Sequence, residues 1–214
     1  MTPRYHPADE RLLEHAAGSL TACPDLVIAT HLRACPECRA KVALGEALGG
    51  ALLTALPPAV MSADALERAL ARIERPEPAV VTARTVAPLT DWIEAPASVI
   101  EAARRRRRWA APGVWVAPVG KGPGRSRSYL LRVAPGMSVP HHTHRGREMV
   151  CVLKGAYLDR GVVYGPGDFS ENDEDVAHTP TVTGDGECVC LISADAPLSP
   201  LNWVGRLFQP IVRI

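Results

Sequence analysis

Residues 136–155, GMSVPHHTHRGREMVCVLKG, carry the pattern that decides the fold of the second half of this 214-residue chain. His142 and His144 are two positions apart in an apolar stretch, so on a β-strand both side chains lie on one face. Glu148 follows beyond a short turn and can reach the same ion from the next strand. Imidazole and carboxylate together suit a first-row transition metal. The stretch therefore predicts a metal site in a β-rich domain.

The spacing G-x5-H-x-H-x3-E-x6-G, from Gly136 to Gly155, resembles the first motif of the cupin superfamily, position for position. The resemblance covers about residues 90–214 and implies a jelly-roll β-barrel. It implies four metal ligands, which are His142, His144, Glu148 and, from a second motif, His178. Such a ligand set suits zinc, iron, manganese, nickel or copper, so the expected cofactor is zinc or another divalent first-row metal. His141 is expected to face solvent or to support a neighbouring ligand, although it could replace one.

Short runs rich in β-forming residues support this fold from about residue 90 onward. Glycine and proline turns separate the runs, a pattern typical of a small antiparallel barrel or jelly roll. The principal runs are Tyr129–Val133, Met149–Leu153, Val162–Tyr164, Cys188–Ser193 and Ile211–Ile214.

Residues 8 to about 75 have helical periodicity instead. The second helix is predicted over Leu26–Ala34, because Pro36 disfavours helical geometry at Cys35. Pro36 can then open a third helix as its first residue. A fourth helix follows, with Ser62 as the predicted N-cap.

The spacing His31-x3-Cys35-x2-Cys38 is the strongest signal in the helical half. His31 and Cys35 are one helical turn apart and share a face, and Cys38 begins the next helix. Two thiolates and an imidazole at a helix junction predict a tetrahedral zinc site. His6 is the favoured fourth ligand, with His15, Cys23 and water as the alternatives.

This constellation resembles the zinc-binding anti-sigma factor family, whose motif is an upstream histidine followed by H-x3-C-x2-C. The match covers roughly residues 1–75 and implies a small four-helix domain. Three helices would surround the zinc, and the fourth would pack on a bound extracytoplasmic-function sigma factor. The apolar stripe of the fourth helix is then part of the partner-binding surface, unless it is an internal core face; its residues are Leu66, Ala69, Leu70 and Ile73.

The predicted organisation is a multi-domain, α plus all-β chain. A helical zinc-binding anti-sigma domain (1–75) precedes a proline-rich linker (76–90) and a cupin domain (91–214). In this order the two motifs resemble those of ChrR-type anti-sigma factors. The resemblance implies a regulator, not an enzyme, that sequesters its sigma factor and releases it in response to singlet oxygen or organic hydroperoxide. Residues 1–85 should inhibit alone, and the oxidant response should need the cupin.

Two other functions compete with this interpretation. The cupin motif alone would favour a metal-dependent dioxygenase or isomerase that carries an accessory helical zinc module. A DNA-binding zinc module is the weaker alternative, because the formal net charge of the chain is only +1. No signal peptide or membrane span is recognisable, so a cytoplasmic location is expected, without contact to nucleic acid or membrane.

The six cysteines are therefore expected to be thiols or metal ligands and not structural disulfides. Cys188 and Cys190 lie two apart on a predicted strand and face the same way. Packing is the favoured role for this pair, and redox sensing is the alternative.

Overall fold

The computed structural model describes residues 2–74, 91–184 and 186–196, together with the backbone of 199–200. The predicted linker at 76–90 and the predicted strand Ile211–Ile214 lie outside these residues. Within them, the helices are α1 (Asp9–Ala16), α2 (Ala22–Ala34), α3 (Pro36–Ala55), α4 (Ala65–Ile73) and α5 (Ala97–Arg105). The α-plus-β architecture predicted from the sequence is confirmed, whereas the domain boundaries stay a prediction.

The helix boundaries follow the local chemistry, with two corrections. Helix α2 begins at Ala22 and not at the predicted Leu26, because Pro24 is tolerated in the first turn of a helix. Cys35 is extended and Pro36 is the first residue of α3, as predicted. The predicted N-cap at Ser62 is wrong, because α4 begins at Ala65 after Asp64. The hydroxyl of Ser62 lies before the N-cap position and accepts a hydrogen bond from Arg68 Nη2 at 2.9 Å.

The second half of the chain folds into antiparallel sheets. Its strands are β1 (Arg108–Ala111), β2 (Val114–Lys121), β3 (Arg127–Val133), β4 (His142–Thr143), β5 (Glu148–Lys154), β6 (Ala156–Asp159), β7 (Val162–Tyr164), β8 (Phe169–Asn172), β9 (Ala177–His178), β10 (Thr181–Thr183), β11 (Cys188–Ala194) and β12 (Ser199–Pro200). A six-stranded sheet has the order β1-β2-β3-β11-β5-β8, and two smaller sheets have the orders β10-β6-β7 and β12-β4-β9.

The two faces of the large sheet bury different cores. The inner face, with Val150 and Ile192, packs with Tyr157 of the β10-β6-β7 sheet to fill the barrel interior. The outer face contributes Leu130, Leu153 and Leu191 to a second core, which it shares with the helices.

Helix α2 joins the helical half to the cupin. Its Val27 and Ile28 are fully buried, and α2 contacts β2, β3, β5 and β11 of the large sheet. Burial of such side chains contributes about 1.5–3 kcal/mol each. The helical half and the cupin therefore share a continuous apolar core. None of the helices in the described residues is long and apolar enough to cross a membrane.

Candidate functional site: two clusters of metal-binding side chains

The first cluster lies where α2 ends and α3 begins. One donor atom from each of four side chains lies within 4.8 Å of the others; the residues are His6, His31, Cys35 and Cys38. The last three are buried, and His6 is half-buried on the segment before α1. Because residue 35 is the extended residue between the two helices and residue 38 lies in the first turn of α3, the break at Pro36 turns both thiols towards the same point.

The distances in this cluster fit a tetrahedral ion. His6 Nδ1 is 3.4 Å from each of the two sulfurs, and His31 Nε2 is 3.3 Å from Cys38 Sγ. A tetrahedral zinc ion with ordinary bond lengths separates a sulfur and a nitrogen ligand by about 3.6 Å. A set of two sulfurs and two nitrogens is typical of structural zinc.

The ionisation of these groups also suits a metal. Burial lowers the pKa of His31, so its imidazole is neutral at neutral pH. Burial, together with the neighbouring Cys35, raises the pKa of Cys38 to about 12. The thiol proton is therefore lost only when a cation replaces it, and metal binding at this cluster is coupled to proton release.

The structure distinguishes His6 from His15 and Cys23, the other two side chains considered as the fourth donor of this cluster. His15 Nδ1 pairs with Asp25 Oδ1 at 2.6 Å, away from the cluster. Cys23 is buried, but it faces the turn between β2 and β3, where a Cβ on Gly122 would lie 3.4 Å from its sulfur. Of the three side chains, only His6 reaches the two thiols.

The second cluster lies inside the cupin and combines all four side chains implied by the cupin motifs. His142, His144, Glu148 and His178 are buried, and their donor atoms lie within 4.8 Å of one another. Strand pairing explains the convergence. His142 on β4 is directly opposite His178 on β9.

Close nitrogen contacts mark the position that a cation would take. His178 Nε2 is 3.0 Å from His144 Nε2 and 3.1 Å from His142 Nε2, while Glu148 Oε2 is 3.6 Å from His144 Nε2. Tetrahedral zinc places two imidazole nitrogens about 3.3 Å apart. Burial lowers the pKa of His142 to about 4 and of His144 to about 3, so both rings are neutral and offer lone pairs to a metal. The donor set fits several first-row metals and leaves the identity of the metal open.

Several residues that hold these ligands in place were not predicted from the sequence. Asp159 Oδ2 lies 2.9 Å from His178 Nδ1, and the carbonyl of Pro140 accepts a hydrogen bond from His142 Nδ1 at 2.7 Å. These bonds leave the Nε2 atom of each ring for the ion. Asn172 lies opposite Glu148 and hydrogen-bonds its carboxylate, which counteracts part of the burial that raises the pKa of Glu148 to about 7. Asp159 and Asn172 belong to no motif, and only the fold brings them to the site.

A cavity of about 60 Å³ adjoins this cluster, and Cys188 and Cys190 line it. Their sulfurs are 3.7 Å apart. Contact with Cys188, together with burial, raises the pKa of Cys190 well above its usual value. Because a protonated thiol is a poor nucleophile, this environment favours the packing role. His141 faces solvent and its Nδ1 lies 3.1 Å from Thr179 Oγ1, so it is not part of the cluster.

The predicted partner-binding stripe on α4 is exposed. Leu66, Leu70 and Ile73 have exposed fractions of 69%, 51% and 79%, and Ala69 is also exposed. No residue of α4 is buried. Within the described part of the chain, the stripe is thus not an internal core face.

Comparison with known proteins places the chain in a family. Residues 97–196 match the family model of the ChrR cupin-like domain. The anti-sigma-E factor ChrR of Cereibacter sphaeroides is 36% identical over 219 residues, covering all of both chains. The crystal structure of Rhodobacter sphaeroides SigE in complex with the anti-sigma ChrR matches with a TM-score of 0.75 and 33% identity, over 91% of this chain and 100% of that chain. The chain belongs to the family of ChrR-type anti-sigma factors.

Proposed function

We propose that this protein is a transcriptional regulator that binds an extracytoplasmic-function sigma factor and keeps it from RNA polymerase. The complex is a heterodimer and forms in the cytoplasm. The cluster of His6, His31, Cys35 and Cys38 holds zinc, and the cupin cluster holds zinc or another divalent first-row metal. Singlet oxygen or organic hydroperoxide releases the sigma factor, and this response needs the cupin metal site.

The observation that carries the proposal is a large exposed apolar surface on α3 and α4, which we name the leucine surface. Beyond the metal cluster, α3 and the residue that follows it expose leucines at helical spacing, and α4 exposes an apolar stripe of its own. The leucines of both are Leu44, Leu48, Leu52, Leu56, Leu66 and Leu70, each more than half exposed. Exposed apolar side chains concentrated on two helices mark a protein-binding site, because a monomer in water would gain stability by covering them.

The shape of the leucine surface suits a helical protein partner. Both helices present leucines at i and i+4, and α4 is strongly amphipathic, so they can pack against apolar faces of a partner. The matched structure of ChrR is a complex with SigE, and this chain is similar to it over most of its length. A sigma factor is therefore the partner that we assign to the leucine surface.

A transcription assay with purified RNA polymerase and the co-encoded sigma factor tests this function. We expect the full-length, zinc-loaded chain to inhibit sigma-dependent transcription at a 1:1 ratio, and to co-elute with the sigma factor on a sizing column. The absence of both effects would reject the proposal. The inhibition expected for residues 1–85 alone stays a separate prediction, because that fragment would expose Val27 and Ile28, which the cupin sheet covers.

The cupin cluster supplies a chemical basis for the response. Imidazole ligands such as those of this cluster are oxidisable, and loss of a ligand loosens a structure that a metal holds together. Because α2 packs on the cupin sheet, a change in the cupin can reach the helical half without passing through the chain segment 76–90.

Replacement of His142 by alanine should separate inhibition from response. The variant keeps the helical cluster and the leucine surface, so we expect normal inhibition of the sigma factor. It loses one of four cupin donors, and we expect a sigma-dependent reporter to stay silent when cells are exposed to singlet oxygen or tert-butyl hydroperoxide.

The matched control is His141→Ala. His141 is adjacent in sequence but lies outside the cupin cluster, so this variant should respond like the wild type. A full oxidant response in His142→Ala would exclude a sensing role for the cupin metal.

The alternative of a cupin dioxygenase or isomerase has less support. The cavity beside the cupin cluster, about 60 Å³, is well below the roughly 300–1,000 Å³ of pockets that hold small-molecule ligands. The full-length similarity is to a regulator of transcription.

A further inference from the structure

A residue of the cupin holds one ligand of the helical cluster in place. The ring of His31 is fully buried, and its Nδ1 atom donates a hydrogen bond to the carbonyl oxygen of Gly167 at 2.7 Å. Gly167 lies in the turn between β7 and β8, 136 residues further along the chain. This bond fixes the tautomer of His31 and leaves Nε2 to face Cys38.

The next residue of the same turn holds the segment that carries His6. Asp168 is 5% exposed. Its Oδ1 accepts hydrogen bonds from the backbone amides of Arg4 at 2.6 Å and Tyr5 at 3.1 Å. The amide of Phe169 in turn donates to the carbonyl of Tyr5 at 3.0 Å. His6 directly follows this clamped pair.

The contact is too close for a side chain at residue 167. Gly167 has a φ of +89°, which favours glycine, and a Cβ there would lie 2.8 Å from Pro3 Cγ and 3.2 Å from Ala34 Cβ. The turn thus fits against both the amino-terminal segment and the end of α2. These contacts reach both histidines of the helical cluster.

The strand that follows this turn ends at the cupin cluster. Phe169 begins β8 and packs its ring against His31, with centroids 6.0 Å apart. Asn172 ends β8 opposite Glu148 and accepts a hydrogen bond from Arg160, which also pairs with Asp159. Strand β8 has four residues and is about 10 Å long. One end therefore contacts the helical cluster and the other end contacts the cupin cluster.

The geometry points to Gly167 and Asp168 of the cupin as positioning residues of the helical metal site. Gly167 orients His31, and Asp168 places His6, so the docked cupin turn preorganises the site and slows the loss of its metal. The inference rests on the proposed metal occupancy of this cluster. Through β8, a structural change at the cupin cluster can alter the position of the helical donors.

Cobalt substitution of the full-length chain tests the inference directly. Thiolate bound to Co²⁺ gives a charge-transfer absorption, and the cupin cluster contains no cysteine, so this band reports the helical cluster alone. In Asp168→Ala we expect an altered band and a transfer of the metal to a chelator about 10–100-fold faster than in the wild type. Asp168→Asn keeps an oxygen acceptor for the two amides and should be intermediate.

The matched control is Glu171→Gln. Glu171 pairs with Arg11 at 3.2 Å, a contact between cupin and helical half that touches no metal-binding side chain. This variant should release metal within about twofold of the wild-type rate, because the pair it breaks contacts none of the four donor side chains. If Asp168→Ala does not fold, Gly167→Ala serves in its place, since its Cβ would displace the same segment.

The possible outcomes separate the positioning role of the cupin turn from the existence of the metal site. A normal band and rate in a folded Asp168→Ala or Gly167→Ala, or an equally large effect of Glu171→Gln, would overturn the positioning role alone. A wild-type chain without a charge-transfer band would overturn the metal site itself, and this inference with it.

Discussion

Replacement of Cys38 by alanine should remove the metal from the helical cluster and abolish inhibition of the sigma factor. The thiol is fully buried and contacts both His6 and His31, so its loss leaves three donors around a site that needs four. Structural zinc contributes about 10–16 kcal/mol to folding, which equals or exceeds the whole stability of roughly 5–15 kcal/mol of a typical domain. Zinc content should fall by one ion per chain, and sigma-dependent transcription should proceed in the presence of the variant.

The control for this experiment is Cys23→Ala. Cys23 is also a buried thiol of the helical half, but it lies outside the cluster. We expect it to keep both its metal content and its inhibition, with a small loss of stability from the vacated space. Cys35→Ala should behave like Cys38→Ala. Normal inhibition by both cluster variants would show that no structural metal is needed there.

Replacement of Leu70 by aspartate should prevent binding of the sigma factor without changing the fold. Leu70 is 51% exposed at the centre of the α4 stripe, so the free protein tolerates a charge there. In a complex, the carboxylate would be buried against an apolar partner without a counter-ion, which is strongly unfavourable. Hot-spot residues near the centre of an interface contribute about 2 kcal/mol or more, so with Leu70 in that role we expect at least about 30-fold weaker binding by titration calorimetry.

Val163→Asp is the matched control for the Leu70 variant. Val163 on β7 is an apolar residue with nearly the same exposed fraction, 50%, but it lies in the cupin and not on the leucine surface. Its replacement should leave affinity for the sigma factor unchanged. Equal affinities of Leu70→Asp and the wild type for the sigma factor would show that α4 does not take part in the interface. The exposed leucines of α3 would then be the next candidates.

The sequence predicted which side chains gather in the two clusters, because most of them are close along the chain. His31 lies in the last turn of α2 and Cys35 directly follows that helix, and His142 and His144 are two residues apart. Spacing of this kind follows from the helical and strand periods and needs no knowledge of the rest of the fold. The exposure of the stripe on α4 could not be predicted in the same way, because a helix presents the same pattern to a core and to a partner.

The N-cap of α4 shows a second limit of prediction from the sequence. Ser62 has the right chemistry for a cap, but the helix starts after Asp64, and the Ser62 hydroxyl accepts from Arg68 instead. The residue at which a helix begins depends on geometry that a single sequence does not contain.

By itself, the sequence determined the two halves, their order, the helix break at Pro36 and the donor types of each cluster. Only the tertiary structure decided that His6, and not His15 or Cys23, faces the thiols. It also decided that Asp159 supports His178, and that Gly167 and Asp168 support the helical cluster. The physical reason is separation along the chain: periodicity fixes neighbours within one element, whereas contacts between residues more than a hundred positions apart arise only when α2 packs on the cupin sheet.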